Sequence, residues 1–136
     1  MKDYNMNNLR NIGIIGHSSS GKTSLTEALL FYSETTDRLG NIEDGTTMSD
    51  FEQEEKTRKI SISASINPLE WSKIKINLVD MPGYFDFVGE SIEGMRAVDV
   101  GMIVVCGVAG VQVGTEKAWD YCNKQSMPRT FFINKL

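Results

Sequence analysis

Apolar residues recur along the chain in two periods, and each period predicts a kind of secondary structure. A short β-branched run at residues 11–15, closed by Gly16, is typical of a buried strand. Apolar positions then recur every three or four residues, which predicts a helix from Lys22 to about Tyr32. No period survives over residues 33–59, although the charged run at 52–59 has the length of a short helix. A stretch this long without a period is expected to be functional or mobile.

The second half of the chain continues the alternation of strands and helices. Residues 60–66 alternate with period two and predict a half-buried strand that ends at Asn67 and Pro68. Residues 73–80 alternate again, so the two segments predict a hairpin. The remaining pattern predicts a helical face at Val88, Ile92 and Met95, a strand at 100–108, a helix at 115–125 and a strand at 130–133. This order predicts one α/β domain, a three-layer, mostly parallel sheet with helices on both faces.

The composition is that of a soluble globular protein. The chain has 136 residues, 40% hydrophobic and 24% charged, which suits one soluble globular domain and excludes intrinsic disorder. The apolar stretch at 98–113 is too short and too interrupted to cross a membrane, and no secretory signal is present at the start. Cys106 and Cys122 have no metal-like spacing and favour a reduced, cytoplasmic setting. The net charge of −4 argues against binding DNA through bulk charge.

A phosphate-binding loop is predicted between the first strand and the first helix. Residues 16–23 fit the pattern G-x-x-x-x-G-K-[ST]. Glycines let successive backbone N–H groups converge on an anion, and the following helix aims its positive end at the same point. The Lys22 ammonium suits β- and γ-phosphate oxygens, and the Thr23 hydroxyl suits Mg²⁺. The nucleotide-contacting residues predicted here are His17, Ser18, Ser19, Ser20, Gly21, Lys22, Thr23 and Ser24.

A second candidate group follows the hairpin. Asp80 stands at the end of a predicted strand and is followed by Met81, Pro82 and Gly83. A carboxylate at that edge can hold a Mg²⁺-bound water, and the glycine can present its N–H to a γ-phosphate. Asp-x-Pro-Gly alone is a common turn, but its position one hairpin after the loop favours the metal site.

Together these segments resemble the guanine-nucleotide domain of translational GTPases, specifically elongation factor G and its paralogues. The resemblance covers Asn11 to Leu136. Its motifs are the loop at 16–23, residues 25–31, residues 46–48 with 52–54, the turn at 80–83, the pair Asp86-Phe87 and the pair Asn134-Lys135. That pair looks like the start of the guanine-reading motif Asn-Lys-x-Asp. The resemblance implies a P-loop NTPase fold, GTP or GDP with Mg²⁺ as ligands, and engagement of the ribosome.

The resemblance also assigns roles to residues outside the loop. Residues 33–59 become the first switch and residues 80–95 the second, both of which the family orders when GTP binds. Ser61 keeps a hydroxyl for Mg²⁺, although the usual Arg-Gly-Ile-Thr reads Arg58-Lys59-Ile60-Ser61. The predicted metal ligands are therefore Thr23, Ser61 and Asp80, with Gly83, Asn134 and Lys135 added to the nucleotide contacts.

The main departure concerns the residue that orients the attacking water. The family's Asp-x-Pro-Gly-His becomes Asp80-Met81-Pro82-Gly83-Tyr84, and the loop's usual apolar residue and aspartate become Ser18 and Ser19. A tyrosine does not form a cation near neutral pH. We therefore predict Tyr84 and Lys22 as the catalytic positions and slow or differently activated GTP hydrolysis. Two alternatives stay open: a nucleotide-dependent binding switch with little hydrolysis, and an ATP-using phosphate-loop enzyme.

The family pattern continues past Leu136 with an aspartate, a strand and a helix. The sequence is accordingly expected to be an incomplete GTP-binding domain, residues 1–136, from the start of a longer multidomain protein. Poor discrimination between guanine and adenine is expected in this piece. Its last strand, at residues 130–133, is expected to be an apolar sheet edge that pairs with another chain.

Overall fold

The structure is a computed structural model that describes residues 4–136. The predicted elements recur in it in the predicted order. Over the described residues the strands and α-helices are β1 (Leu9–Ile15), α1 (Lys22–Tyr32), α2 (Gln53–Arg58), β2 (Ser65–Trp71), β3 (Ile74–Asp80), α3 (Val88–Arg96), β4 (Val100–Cys106), α4 (Val113–Lys124) and β5 (Arg129–Asn134). None of the helices described there is long and apolar enough to span a bilayer.

The five strands form one sheet in the order β2-β3-β1-β4-β5. β1 pairs in parallel with β3 and β4, β4 pairs in parallel with β5, and only β2 runs antiparallel, against β3. In an open parallel sheet, ligands bind beyond the carboxyl ends of the strands. Ile15, Asp80, Cys106 and Asn134 all end parallel strands, so the segments that follow them share one edge.

Helices cover both faces of the sheet, which confirms the predicted three layers. On one face Leu30 of α1 packs with Ile14, Leu78 and Val104. On the other face Met95 of α3 and Cys122 of α4 pack with Ile103. Burial of a large aliphatic side chain contributes about 1.5–3 kcal/mol, so the two clusters hold α1 and the α3–α4 pair firmly against the sheet.

The strand predicted at residues 60–66 is placed wrongly. β2 runs from Ser65 to Trp71, so Asn67 and Pro68 lie inside it. The apolar alternation misled because polar side chains face inward: Asn67 is buried, whereas Ile66 is exposed. Proline is compatible with this strand because β2 lies at the sheet edge, where one side of the backbone needs no partner.

The hairpin itself is confirmed, and its turn lies at Ser72 and Lys73, directly after Trp71. Both turn residues have positive φ, 50° and 67°. Two central residues of this kind define the turn whose twist matches that of antiparallel strands. The turn therefore sets the register that pairs Trp71 with Ile74 and Ser65 with Asp80.

Candidate functional site

The loop at residues 16–23 joins β1 to the first turn of α1. Gly21, which immediately precedes α1, has φ 93° and ψ 28°, a left-handed conformation that suits glycine. An added Cβ there would also collide with the side-chain amide of Asn134. The loop thus turns back on itself, and the free N–H groups of the first turn of α1 point toward the same edge of the sheet.

Lys22 lies under this loop with only 6% of its surface exposed. Its Nζ donates a hydrogen bond to the carbonyl oxygen of His17 at 2.9 Å. Burial lowers the pKa of Lys22, and the negative charge of Asp80 opposes that shift. Because burial disfavours its charge, the ammonium is a strong site for an incoming anion.

Two hydroxyls and two carboxyl groups face each other beside the lysine. The Thr23 Oγ1 and Ser61 Oγ atoms are 3.1 Å apart, and the Ser61 hydroxyl donates to Oδ1 of Asp50 at 2.7 Å. Asp80 is 1% exposed. The structure thus brings together the three predicted metal ligands, which come from α1, β3 and the irregular segment between α2 and β2.

The buried carboxyl group of Asp80 has the properties of a group that binds a metal ion or its bound water. Neither of its oxygens makes a hydrogen bond of normal geometry with the residues that the structure describes. Burial raises its pKa to about 7; the nearby Thr23 hydroxyl and Lys22 lower it, and Asp50 and Glu27 raise it. Two buried oxygens of this kind, beside two hydroxyls, fit a hydrated Mg²⁺ ion.

A cavity of about 600 Å³ opens above these groups. Its walls come from the loop, from α1, from residues 39–43 and 59–61, and from Gly83 and Tyr84. The predicted site residues that line it are Ser18, Ser19, Gly21, Lys22, Thr23, Ser24, Ser61, Gly83, Tyr84 and Lys135. This volume lies within the range of small-molecule sites.

Four predicted residues do not line this cavity: His17, Ser20, Asp80 and Asn134. The Nδ1 atom of His17 accepts from the Gly114 N–H at 3.3 Å, which joins the loop to α4. The Asn134 amide donates to the carbonyl oxygen of Ser20 at 3.0 Å, and Lys135 Nζ donates to that of Ser19 at 2.8 Å. In this structure Asn134 therefore braces the loop from behind, and Lys135 holds it at the cavity rim.

The turn after β3 lies directly against the loop. A Cβ on Gly83 would come within 2.8 Å of the Ser18 nitrogen and would collide with the Lys22 ammonium, so only glycine fits there. Tyr84, 39% exposed, follows it. Its side chain borders both the nucleotide-sized cavity and a second cavity of about 380 Å³ between α3 and α4.

Sequence reasoning missed three buried carboxyl groups near the site: Glu27, Asp50 and Glu55. Asp50 lies in the segment without periodicity, and Glu55 lies in a charged run that is typical of a solvated surface. Burial raises the pKa of Asp50, and the Ser61 hydroxyl opposes that shift. No spacing rule would have separated these three residues from the exposed acidic residues around them.

The parallel sheet, with a glycine-rich loop between its first strand and a helix, defines a P-loop nucleotide-binding domain. The family model of the elongation factor Tu GTP-binding domain matches residues 7–136. The chain therefore belongs to the family of elongation factor Tu GTP-binding domains. This confirms the resemblance to translational GTPases and the P-loop NTPase fold.

Individual relatives agree with this family. Elongation factor G of Dehalococcoides mccartyi is 38% identical over 99% of this chain, and the mitochondrial ribosome-releasing factor 2 of Candida albicans is 39% identical over 93%. A crystal structure of a Thermus thermophilus protein superimposes with a TM-score of 0.91 at 40% identity, over 93% of this chain. The chain spans 20%, 16% and 19% of the lengths of these three proteins.

Proposed function

We propose that the cavity binds GTP and GDP together with Mg²⁺. The observation that carries this proposal is the convergence of the Lys22 ammonium, the Thr23 and Ser61 hydroxyls and the Asp80 carboxyl beside a cavity of about 600 Å³. Lys22 and the loop amides bind the β- and γ-phosphates. Thr23 and Ser61 would hold the metal directly, and Asp80 would hold its water. The ion supplies charge neutralisation of the phosphates when bound.

Titration calorimetry of the protein with GTP, GDP and ATP tests this proposal. We expect binding of GTP and GDP to be tighter with Mg²⁺ than with a chelator, because two hydroxyls and a carboxyl act only through the ion. Competition between GTP and ATP in the full-length protein separates the guanine nucleotide from the alternative of an ATP-using enzyme. No heat of binding with either GTP or GDP, with or without Mg²⁺, would refute the proposal.

We further propose that the protein containing this chain hydrolyses GTP as a cytoplasmic, ribosome-associated factor of the elongation factor G type. The support is the family and the names of the relatives, which include an elongation factor and a ribosome-releasing factor. Residues 33–59 and 80–95 are then its two switches, both of which border the cavity. Cosedimentation with ribosomes in the presence of a non-hydrolysable GTP analogue tests the association.

Tyr84 supports a second candidate, a switch that holds GTP and hydrolyses it slowly. Its side chain lies at the cavity wall next to Gly83, where a water-orienting group would have to be, but a phenol supplies no cation there at neutral pH. Replacement by histidine, Tyr84→His, is expected to raise single-turnover hydrolysis by the full-length protein on ribosomes about 100-fold or more, the contribution typical of a positioned general acid–base group. An unchanged rate would contradict this assignment.

We also infer that the free edge of β5 pairs with a second copy of the chain. Over the described residues β5 pairs only with β4, and Phe131, Phe132 and Ile133 are each 39–51% exposed. An exposed apolar edge strand is a template for pairing. Light scattering is expected to show a mass that rises with concentration, and a monomer throughout would contradict the inference.

A further inference from the structure

Glu27 binds the backbone of the first switch from below. It lies in α1 with 1% of its surface exposed. Its Oε1 atom accepts from the Met48 and Ser49 N–H groups at 2.8 and 3.1 Å, and from the Ser49 hydroxyl at 3.2 Å. A buried carboxylate is unfavourable unless donors surround it, and here the donors come from a segment that has no strand or helix of its own.

Glu55 does the same at the other end of the segment. It is fully buried in α2. Its Oε1 accepts from the Ile62 and Ser63 N–H groups at 2.9 and 3.1 Å, and its Oε2 accepts from the Glu52 N–H at 3.1 Å. Both oxygens are therefore used, one on the segment that leads to β2 and one on the N-cap residue of its own helix.

Each glutamate holds the backbone beside one oxygen of the candidate metal site. Asp50 follows Ser49, which Glu27 binds, and Ser61 precedes Ile62, which Glu55 binds. Asp50 and Ser61 are 2.7 Å apart, and Ser61 is 3.1 Å from Thr23. Regular hydrogen bonding of a sheet or a helix fixes neither residue, so the side-chain carboxylates take over that role.

We propose that Glu27 and Glu55 are positioning residues that hold Asp50 and Ser61 at the magnesium side of the nucleotide cavity. This inference rests on the proposed function, because it assigns a task to the same site. At residue 27 only Oε1 accepts, and the buried Oε2 has no hydrogen-bond partner among the described residues, so loss of the whole carboxyl group tests that position. At residue 55 both oxygens accept, so a carboxylate is needed there, since every partner is a donor. A glutamine at residue 55 would set its own N–H₂ group against one of them.

Hydrogen exchange of the wild-type protein tests the contacts without any nucleotide. We expect the amides of Met48, Ser49, Ile62 and Ser63 to exchange about 100-fold more slowly than those of exposed residues 37–39 in the same segment. Exchange at the same rate as the exposed residues would overturn the proposal. This result does not depend on whether the cavity binds GTP, and it needs no variant to fold.

Glu27→Ala, which removes the accepting oxygen, and Glu55→Gln test the consequence for the metal side. The control is Glu54→Gln, one residue away on α2, where the carboxylate is exposed and pairs with Arg58 at the surface. We expect both buried variants to reduce about tenfold the gain in affinity for a non-hydrolysable GTP analogue that Mg²⁺ produces. Affinity in a chelator should stay within about twofold of wild type, and the control should be unchanged.

The two conditions distinguish positioning from general loss of structure. An equal loss of affinity with Mg²⁺ and with the chelator, or no loss at all, would overturn the proposal. Absence of binding by the wild-type protein in both conditions would refute the proposed function instead, and hydrogen exchange would then decide on the contacts. Trypsin cleavage after Arg58 or Lys59 should become faster in Glu27→Ala and in Glu55→Gln and stay unchanged in Glu54→Gln.

Discussion

The loop at residues 16–23 and the segment at residues 39–61 build separate walls of one cavity by different means. Every group of the loop comes from residues 16–23, between a strand and a helix that are both held by the core. The groups of the segment, Asp50 and Ser61, come from irregular backbone tied down by buried glutamates. The proposed phosphate site therefore depends on local structure, whereas the proposed metal site depends on tertiary contacts that can be released one at a time.

Burial shifts the pKa values of the ionisable groups on the two walls in opposite directions. It lowers the pKa of Lys22 on the loop side, and it raises the pKa of Asp50 and Asp80 on the metal side. In each case the charged form is disfavoured until a counter-charge arrives. The two walls are thus electrostatically suited to the two parts of a magnesium polyphosphate, an anion beside Lys22 and a cation beside the carboxyl groups.

Removal of the lysine should have the largest effect because it removes the one buried cation at the loop described in the structure. We expect Lys22→Ala to weaken nucleotide binding about 100-fold, with and without Mg²⁺, since charge-assisted hydrogen bonds contribute about 1.5–3 kcal/mol. Calorimetry measures the change. Lys73→Ala, in the exposed hairpin turn, is the control. A loss confined to the Mg²⁺ condition would contradict the division between the two walls.

Removal of the serine hydroxyl should act on the metal side alone. We expect Ser61→Ala to weaken nucleotide binding about tenfold with Mg²⁺, equivalent to about 1.4 kcal/mol, and to leave binding in a chelator unchanged. Ser61→Thr keeps the hydroxyl and should bind as wild type does. Titration with a fluorescent GTP analogue measures both. Equal losses in the two conditions would show that the hydroxyl only supports the segment.

The parts of the molecule that local spacing determines were predictable. The loop motif gives the position of Lys22 and Thr23, and helical periodicity gives α1 within its observed bounds. The strand at 60–66 was predicted wrongly because Asn67 and Ser65 face inward to bond with each other and with Ser49. The contact with Ser49 joins residues 18 positions apart in the chain, so no local pattern reveals it.

The same reason explains what was missed at the site. Asp50 and Glu55 are acidic residues in a polar stretch, and only the folded chain shows that they are buried. Their donors, Ser61 for Asp50 and the amides of Ile62 and Ser63 for Glu55, lie 7 to 11 residues away. Asn134 was predicted as a nucleotide contact. Its hydrogen bond to the Ser20 carbonyl oxygen forms because β5 ends beside the loop, which only the folded sheet shows.

Replacement of Asp80 should weaken the proposed metal binding and stabilise the nucleotide-free protein at high pH. Its pKa is raised from an ordinary 3.8 to about 7 in the folded protein, so the folded state keeps a proton that the unfolded state loses. The unfolding free energy of the nucleotide-free protein should therefore fall as pH rises from about 4 to 7. We expect Asp80→Asn to remove this component and to melt a few degrees higher than wild type at pH 8. Thermal melts at pH 5 and 8 measure it, and a wild type that gains stability toward pH 8 relative to the variant would contradict it.

The smallest effect expected concerns Lys59, which ends α2 in a left-handed conformation, φ 57° and ψ 39°. Such a backbone costs a residue with a Cβ about 1–2 kcal/mol, which glycine would avoid. Two losses offset part of this gain: the exposed ion pair of Lys59 with Glu43 disappears, and glycine has a larger conformational entropy in the unfolded state. We expect Lys59→Gly to stabilise the protein by about 0.5 kcal/mol in urea unfolding. Lys56→Gly, inside the same helix, should instead destabilise it by about 1 kcal/mol. Equal destabilisation by both substitutions would show that the left-handed backbone of Lys59 is not strained.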